Sequence, residues 1–365
     1  MGRVPLARRN LFANRRRLAA SALGVGLAVM LILLLDGLWA GIGQQTTLYV
    51  DRAGADLYVL QPGVRDLTAG ASTLPLTTVD TVRGEAGVAW AAPVRTTYAI
   101  LQLHDRKIAT YVVGSVPDQP GGAWSITDGR SVRSDDEIVI GSLLAHRHNI
   151  HLDDRLDVMG RPLRVVGVAA TNGFMMSYVF VTHGTLDQLM ASTTTSMVLV
   201  GAADPTETAI RLRADGLNVL DRRQVALNNR TFATGVFGSP VRLMVGIGLA
   251  AGTMIIALTA YTAIIEHRRE YGIVKALGAT RARLVILALG QTLTLAALGL
   301  VAGGGLFLAG RALIMSSRPQ FTVLLTTGAI ERAAMAALLM ALVAAVVPAR
   351  RLATLEPAVA YRSAS

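Results

Sequence analysis

The chain has 365 residues, 52% of them apolar, and 35 Lys and Arg against 24 Asp and Glu give it a net charge of +11. It has no cysteine, which excludes disulfides, thiolate zinc sites and Cys-ligated iron–sulfur clusters. Only two of the basic residues are Lys; with the many Ala, this points to a GC-rich bacterial genome.

In chain order, residues 1–17 carry six Arg (Arg3, Arg8, Arg9, Arg15, Arg16, Arg17) and no acid. A first apolar stretch follows, 18–43. Its apolar core exceeds the roughly 7–15 residues of a signal-peptide h-region, so it reads as an uncleaved anchor. Three further apolar stretches lie at 241–265, 284–310 and 333–349. The first three contain uncharged runs long enough to cross a hydrocarbon core about 30 Å thick. The fourth is shorter, with Glu331 and Arg332 placed for an interface. Residues 1–17, 266–283 and 350–365 carry +6, +3 and +2, which is the whole formal charge. Short basic segments stay cytosolic. Both termini and the 266–283 loop are therefore expected in the cytosol, and 44–240 and 311–332 outside. The charge reads as topology, with no nucleic-acid partner.

The 44–240 block reads as a folded α+β domain. Short β-type runs at 56–60, 98–103, 108–113, 137–140, 155–159, 163–168, 178–181 and 197–200 are separated by turn residues. His104–Lys107 and Gly160-Arg161-Pro162 read as hairpin turns. Ser142 reads as the cap of a helix reaching Asn149. Helices are also expected at 185–190, 206–215 and 222–230, with 219–240 returning the chain to the membrane. The fold class is a membrane α-helical protein, with four transmembrane helices and a large extracytoplasmic α+β domain between the first and second.

Catalytic motifs are missing. A Walker A loop needs Lys directly after Gly, whereas the two lysines follow Arg106 and Val274. There is no G-x-S-x-G elbow and no H-E-x-x-H. His146, His148 and His151 read as a solvated helix end, because positions i and i+2 face apart. Gly248 and Gly252, and Gly299 and Gly303, permit close helix approach, within one subunit or across a dimer seam. Asp36 is the one acid within an apolar span. It reads as interfacial, with Trp39 in an aromatic belt. With Tyr49, Phe237 and Met244, these two form a candidate lateral substrate entrance.

The loop Glu266–Leu284 reads EHRREYGIVKALGATRARL, apolar positions interleaved with basic ones around a break at Gly278. Such a segment suits docking into a groove on a cytosolic partner. Glu270-Tyr271-Gly272-Ile273-Val274-Lys275-Ala276-Leu277-Gly278-Ala279-Thr280 resembles the E-x-G-I-x-K-A-L-G-A-T signature of FtsX/MacB-like (type VII) ABC-transporter permeases. Leu11–Arg17 is similar to the family's N-L-x-x-N-x-x-R lead-in. Trp124–Val168 is similar to its outer-domain core, with Asp153-Asp154 replacing the usual Gly-Asp. Pro348–Arg351 and Leu355–Ala358 are similar to its C-terminal P-A-x-R-A…L-D-P-A. Gly37–Gly43 and the chain length resemble the haem-efflux (HrtB-type) and DevC-type branches.

The resemblance implies a homodimeric permease in the bacterial plasma membrane, working with a separate ABC ATPase subunit that holds ATP and Mg. No cofactor binds the permease itself, and it is not an enzyme alone. Segment 270–280 is the implied coupling helix, with Glu270 and Lys275 as charged contacts and Tyr271, Val274 and Leu277 as apolar ones. The implied function is export or extraction of a hydrophobic or amphipathic substrate (haem, lipid or peptide) by mechanotransmission. If haem is the cargo, Met or Tyr side chains at the entrance are candidate iron ligands. The alternative is an FtsX-like mechanotransmitter that regulates a cell-wall hydrolase; FtsX-type chains are usually shorter, so length favours transport. Partners beyond the ATPase are membrane lipid and an extracytoplasmic adaptor or other protein.

Overall fold

The computed structural model describes residues 15–68, 71–103, 106–171, 176–266, 271, 273, 280–318 and 321–354. The chain divides into two compact units. One contains residues up to Ala40, Ser239–Ser317 and residues from Thr322 onward. The other contains Gly41–Gly238 and Arg318–Phe321.

Among the described residues, four helices are long and apolar enough to cross a membrane. Helix α1 (Arg15–Arg52) precedes the outer domain. The others are α6 (Arg222–Glu266), α7 (Arg281–Ser317) and α8 (Thr327–Ala344). At 1.5 Å per residue, α1 is about 57 Å long, well beyond the hydrocarbon thickness. From Gly41 onward its residues belong to the outer unit. The expected 222–230 helix and its return segment are one uninterrupted helix with the second span, and Pro240 is accommodated inside it. The fourth span differs from its expected 333–349. Thr326 caps α8, accepting from the Ala329 amide, and a turn at Ala345 separates α8 from α9 (Val346–Thr354). Pro348 accounts for the break, since it has no N–H for the carbonyl four residues back.

Within the membrane unit, Val25, Val29 and Leu33 pack with Ile256, Leu295, Phe307 and Met340. Backbones approach closely at small residues. A Cβ on Gly303 would lie 2.7 Å from the Val29 Cβ and 2.8 Å from the Gly26 carbonyl. Gly299 faces Val25, and Gly252 faces Met340 and Ala28. These glycines therefore serve packing inside one subunit. Arg17 pairs with Glu266, and the Thr259 hydroxyl donates to Ser21 at 2.9 Å, so α1 and α6 are also tied by polar contacts.

The outer unit is built on β1 (Leu57–Leu60), β2 (Leu74–Pro75), β3 (Val88–Leu103), β4 (Arg106–Ser115), β5 (Ile126–Gly129) and β6 (Glu137–Gly141). It continues with β7 (Arg155–Val158), β8 (Arg161–Ala169), β9 (Ser177–Thr182), β10 (Thr194–Thr195), β11 (Met197–Ala202) and β12 (Asn218–Asp221). The main sheet runs β12-β1-β11-β3-β4-β9-β6-β8-β5, with β7 pairing β3 and β8. It is mixed: β4 runs parallel to β9 and β6 to β8. Both faces are covered, so strand side chains alternate between two apolar layers. Tyr178 and Phe180 enter one cluster, and Val179 and Val181 the opposite one. In the same way Leu57 and Val59 part from Tyr58 and Leu60.

Four short helices, α2 (Thr77–Arg83), α3 (Ser142–His148), α4 (His183–Met190) and α5 (Pro205–Ala214), complete the unit. Asp204 caps α5 by accepting from the Thr206 and Glu207 amides, with Pro205 in the first turn. For α3 the expected cap is corrected. Gly141 occupies the N-cap and Ser142 is already helical. A Cβ on Gly141 would sit 2.9 Å from the Thr171 carbonyl, which explains the glycine. The second hairpin turn is also corrected by one residue. Met159 and Gly160, at φ of 54° and 87°, form the loop, and Arg161 is already paired with Val158. Two residues with positive φ match a type I′ turn.

One buried carboxylate deserves an energetic account. Glu137, 3% exposed, is gripped by Arg130, by Arg164 at 3.1 Å and by the Arg133 amide at 2.9 Å. The Arg130 hydrogen bond, more than offsetting burial, pushes its pKa down from 4.5 to about 2. A depressed carboxyl pKa stabilises the fold above the unfolded value and loses that contribution as pH falls through the folded one. Outer-domain stability is therefore expected to decline between pH 4.5 and about 2. Glu137→Gln should flatten that decline and cost about 1–2 kcal/mol at neutral pH, the half-exposed arginines limiting the figure. Urea unfolding of the full chain across this pH range measures both.

Candidate functional site

The signature segment lies in the membrane unit. Of its residues, Tyr271, Ile273 and Thr280 are described; Glu270, Gly272, Val274, Lys275, Ala276, Leu277, Gly278 and Ala279 lie outside the described residues. Tyr271 is 2% exposed, packed among Ile264, Leu284 and Ala288. Its hydroxyl accepts from Gln291 Nε2 at 2.7 Å. Gln291 is itself buried within α7, and its Oε1 has no partner among the described residues. Ile273, two positions on, is 41% exposed. Residues two apart on a helix face nearly opposite ways, so a buried Tyr271 and an exposed Ile273 are geometrically consistent. The Thr280 carbonyl accepts from the Arg283 and Leu284 amides and opens α7. The apolar contact expected of Tyr271 with an ATPase is therefore revised. Its ring is already inside the permease, where it anchors the segment to the third span.

The candidate entrance residues divide between the two units. Asp36, Trp39 and Met244 belong to the membrane unit, and Tyr49 and Phe237 to the outer unit. Asp36 pairs with Arg332 Nε at 2.8 Å, its side chain 19% exposed. A charged group near hydrocarbon is costly unless paired, and this partner supplies the compensation. Trp39 and Phe237 are half-buried, and Met244 is exposed. Tyr49 is buried in an aromatic cluster, 5.9 Å from the Trp124 ring and 6.5 Å from that of Tyr178. Its hydroxyl donates to the Gly121 carbonyl at 3.0 Å, and burial pushes the phenol well above its ordinary pKa. A phenolate iron ligand needs a free, ionised oxygen, so the haem-ligand role for Tyr49 is withdrawn. Among the described residues no group of three or more His, Cys, Asp or Glu converges for a metal.

Two partners escaped the sequence reading. Gln291 is the only amide in the 284–310 apolar run, and a polar side chain in a span seeks a polar partner. That signal was present but named no partner. Arg332 lies 296 residues from Asp36 in the chain, and pairing at that separation has no local signature.

The model of the MacB-like periplasmic core domain matches residues 18–215, and that of the FtsX-like permease C-terminal region matches residues 242–357. The chain belongs to the FtsX/MacB-like permease superfamily. Over 358 residues it is 26% identical to an uncharacterized ABC transporter permease of Mycobacterium tuberculosis, covering 97% of this chain and 98% of the relative. A second such permease, of Mycobacterium bovis, is 25% identical with the same coverage. Among solved structures, the extracellular domain of the noncanonic ABC-type transporter YknZ from Gram-positive bacteria aligns at a TM-score of 0.37 and 16% identity, over 46% of this chain and 99% of that one. The periplasmic region of MacB from Actinobacillus actinomycetemcomitans aligns at 0.39 and 14%, over 52% and 94%. This FtsX/MacB-like protein is thus an ABC transporter permease, with four candidate transmembrane helices and an extracytoplasmic α+β domain between the first and second.

The Asp36–Arg332 pair separates structure from function. Asp36→Arg alone should reduce permease stability in detergent by several degrees in Tm. The exchange of both charges, Asp36→Arg with Arg332→Asp, should restore most of it. A transport assay on the exchanged protein then shows whether Asp36 has any role beyond pairing.

Proposed function

We propose that this permease works as a homodimer with two separate ABC ATPase subunits at its cytosolic face. ATP-driven movement there extracts or exports a hydrophobic or amphipathic substrate across the plasma membrane. The basic termini and the 266–283 loop lie in the cytosol on this reading, and the outer domain lies outside. Glu270 through Thr280 form the surface that engages the ATPase, with Glu270 and Lys275 as charged contacts and Val274 and Leu277 as apolar ones.

The carrying observation is the anchorage of Tyr271. Its buried ring and its bond from Gln291 tie the signature segment to α7. From α7 a line of close contacts leads to α1, through Gly299 and Gly303 against Val25 and Val29. Displacement of the segment thus has a packed route to the first span, which suits a rigid-body switch. The engaged Tyr49 hydroxyl removes one reason for preferring haem over a lipid or peptide.

Leu277→Asp is expected to abolish permease-stimulated ATPase activity in reconstituted vesicles while leaving membrane insertion intact. Gln291→Leu, which removes the anchor's partner without touching the docking surface, should lower stimulation several-fold without preventing ATPase binding. Unchanged stimulation in Leu277→Asp would count decisively against this assignment of the segment.

A further inference from the structure

The outer domain contains a cavity that the coupling scheme does not use. It measures about 190 Å³, larger than the roughly 150 Å³ apolar cavity known to admit benzene. Tyr49, Tyr98, Tyr111 and Tyr178 form its cage, with Leu67 and Met176. Among the described residues no carboxylate, ammonium, guanidinium or imidazole lines it. Most of its polar atoms are already engaged. The Tyr98 hydroxyl donates to the Thr68 carbonyl and the Tyr49 hydroxyl to that of Gly121. Asn229, also in the wall, accepts from the Leu67 amide and donates to the Thr46 carbonyl, both at 2.9 Å.

Tyr178 is 9% exposed, and among the described residues no hydrogen bond engages its hydroxyl, unlike those of Tyr49, Tyr98 and Tyr111. That hydroxyl is not sealed away as a buried unpartnered group, so it is open to a ligand acceptor in the cavity. A second cavity of about 200 Å³ shares the wall of Leu67, Thr68, Tyr98 and Tyr111. Its character is different: Ser72, Thr73, Thr96, Thr97 and Ser196 contribute hydroxyl-bearing side chains. Among its described lining residues the one cation is Arg95, 4% exposed and occupied by Asp187 at 2.7 Å and the Ser192 carbonyl at 2.6 Å.

We infer that these adjoining cavities form a binding site for a neutral amphiphile. The aliphatic part lies in the tyrosine cage, an acceptor oxygen bonds to the Tyr178 hydroxyl, and an uncharged polar head meets the hydroxyl-lined neighbour. Charge argues against the alternatives: among the described lining residues an anionic head would find no free cation, and a cationic head no free carboxylate. Tyrosine faces and edges favour an apolar body without demanding a particular shape. The site involves no residue of the 270–280 segment, so ligand binding and ATPase coupling succeed or fail independently.

Trp124 provides the reporter, its ring 5.9 Å from Tyr49 and 5.6 Å from Tyr178. The full chain carrying Trp39→Phe and Trp90→Phe, held in lipid nanodiscs, leaves Trp124 as the only tryptophan. Titration with bromo-octanol, whose bromine quenches nearby indole, should give saturable quenching. Bromo-octanoate at neutral pH should bind at least tenfold more weakly. Tyr178→Phe should weaken bromo-octanol about three- to tenfold through the lost hydrogen bond. Thr68→Phe, at a half-buried position where a ring fills the space, should abolish saturation; it serves as the second variant if Tyr178→Phe folds poorly. Linear quenching that is the same in all variants, from bromo-octanol dissolved in the bilayer alone, overturns the proposal. So does equal affinity of Tyr178→Phe and the parent.

Discussion

In a bilayer, apolar side chains gain little by exchanging lipid for a neighbouring helix, and the packing of the membrane unit rests on that constraint. Without a hydrophobic drive, the spans must be held by shape and by a few polar contacts. The protein answers with bare backbone at the crossing points. Gly303 leaves room for Val29, Gly299 for Val25 and Gly252 for Met340. Polar contacts among the described residues include Arg17 with Glu266, Thr259 with Ser21, Asp36 with Arg332, and Gln291 with Tyr271. Large apolar side chains such as Met254, Val301 and Leu313 point outward instead, each more than two-thirds exposed. They are the surface left to face the bilayer.

The outer domain obeys the opposite rule. Water surrounds it, so burial drives the fold, and the sheet is sandwiched between two apolar layers. That difference explains how much of each half was legible from the residues. Strands such as Glu137–Gly141 and Met197–Ala202 announce themselves as short apolar runs bounded by turns, and they formed close to where expected. Strand β3 did not. The expected run began at Tyr98, whereas β3 starts at Val88 and passes through Arg95, Thr96 and Thr97. The reason is tertiary: Arg95 is neutralised by Asp187, 92 residues away. A local pattern cannot anticipate a partner at that distance. The long helix through Pro240 was hidden for a related reason. Proline usually ends a helix, and only the flanking turns show that this one tolerates it.

At the candidate site the lesson concerns direction. The interleaving of apolar and basic residues in 266–284 located the segment. It did not say which apolar residues face the permease and which face outward. Tyr271 and Ile273 look equivalent in the sequence, but one is buried and the other exposed. The deciding contact is made by Gln291 from the next helix. The idea of Tyr49 as an iron ligand missed for the same reason. Proximity to the end of a span is readable, whereas the engagement of the hydroxyl with Gly121 depends on the folded sheet.

Asn229 carries one further implication. Its single amide joins three separate stretches of chain: α6, on which it sits, the Thr46 carbonyl of α1, and the Leu67 amide beside the tyrosines. Both ends of the amide are committed, so it acts as a phase detector for its helix. Advancing α6 by one residue step swings a side chain through about 100°. The amide would then release Thr46 and Leu67 together, and the peptide next to Thr68 would lose its tether. The volume bounded by Leu67 and Thr68 is therefore set by the rotational position of a helix.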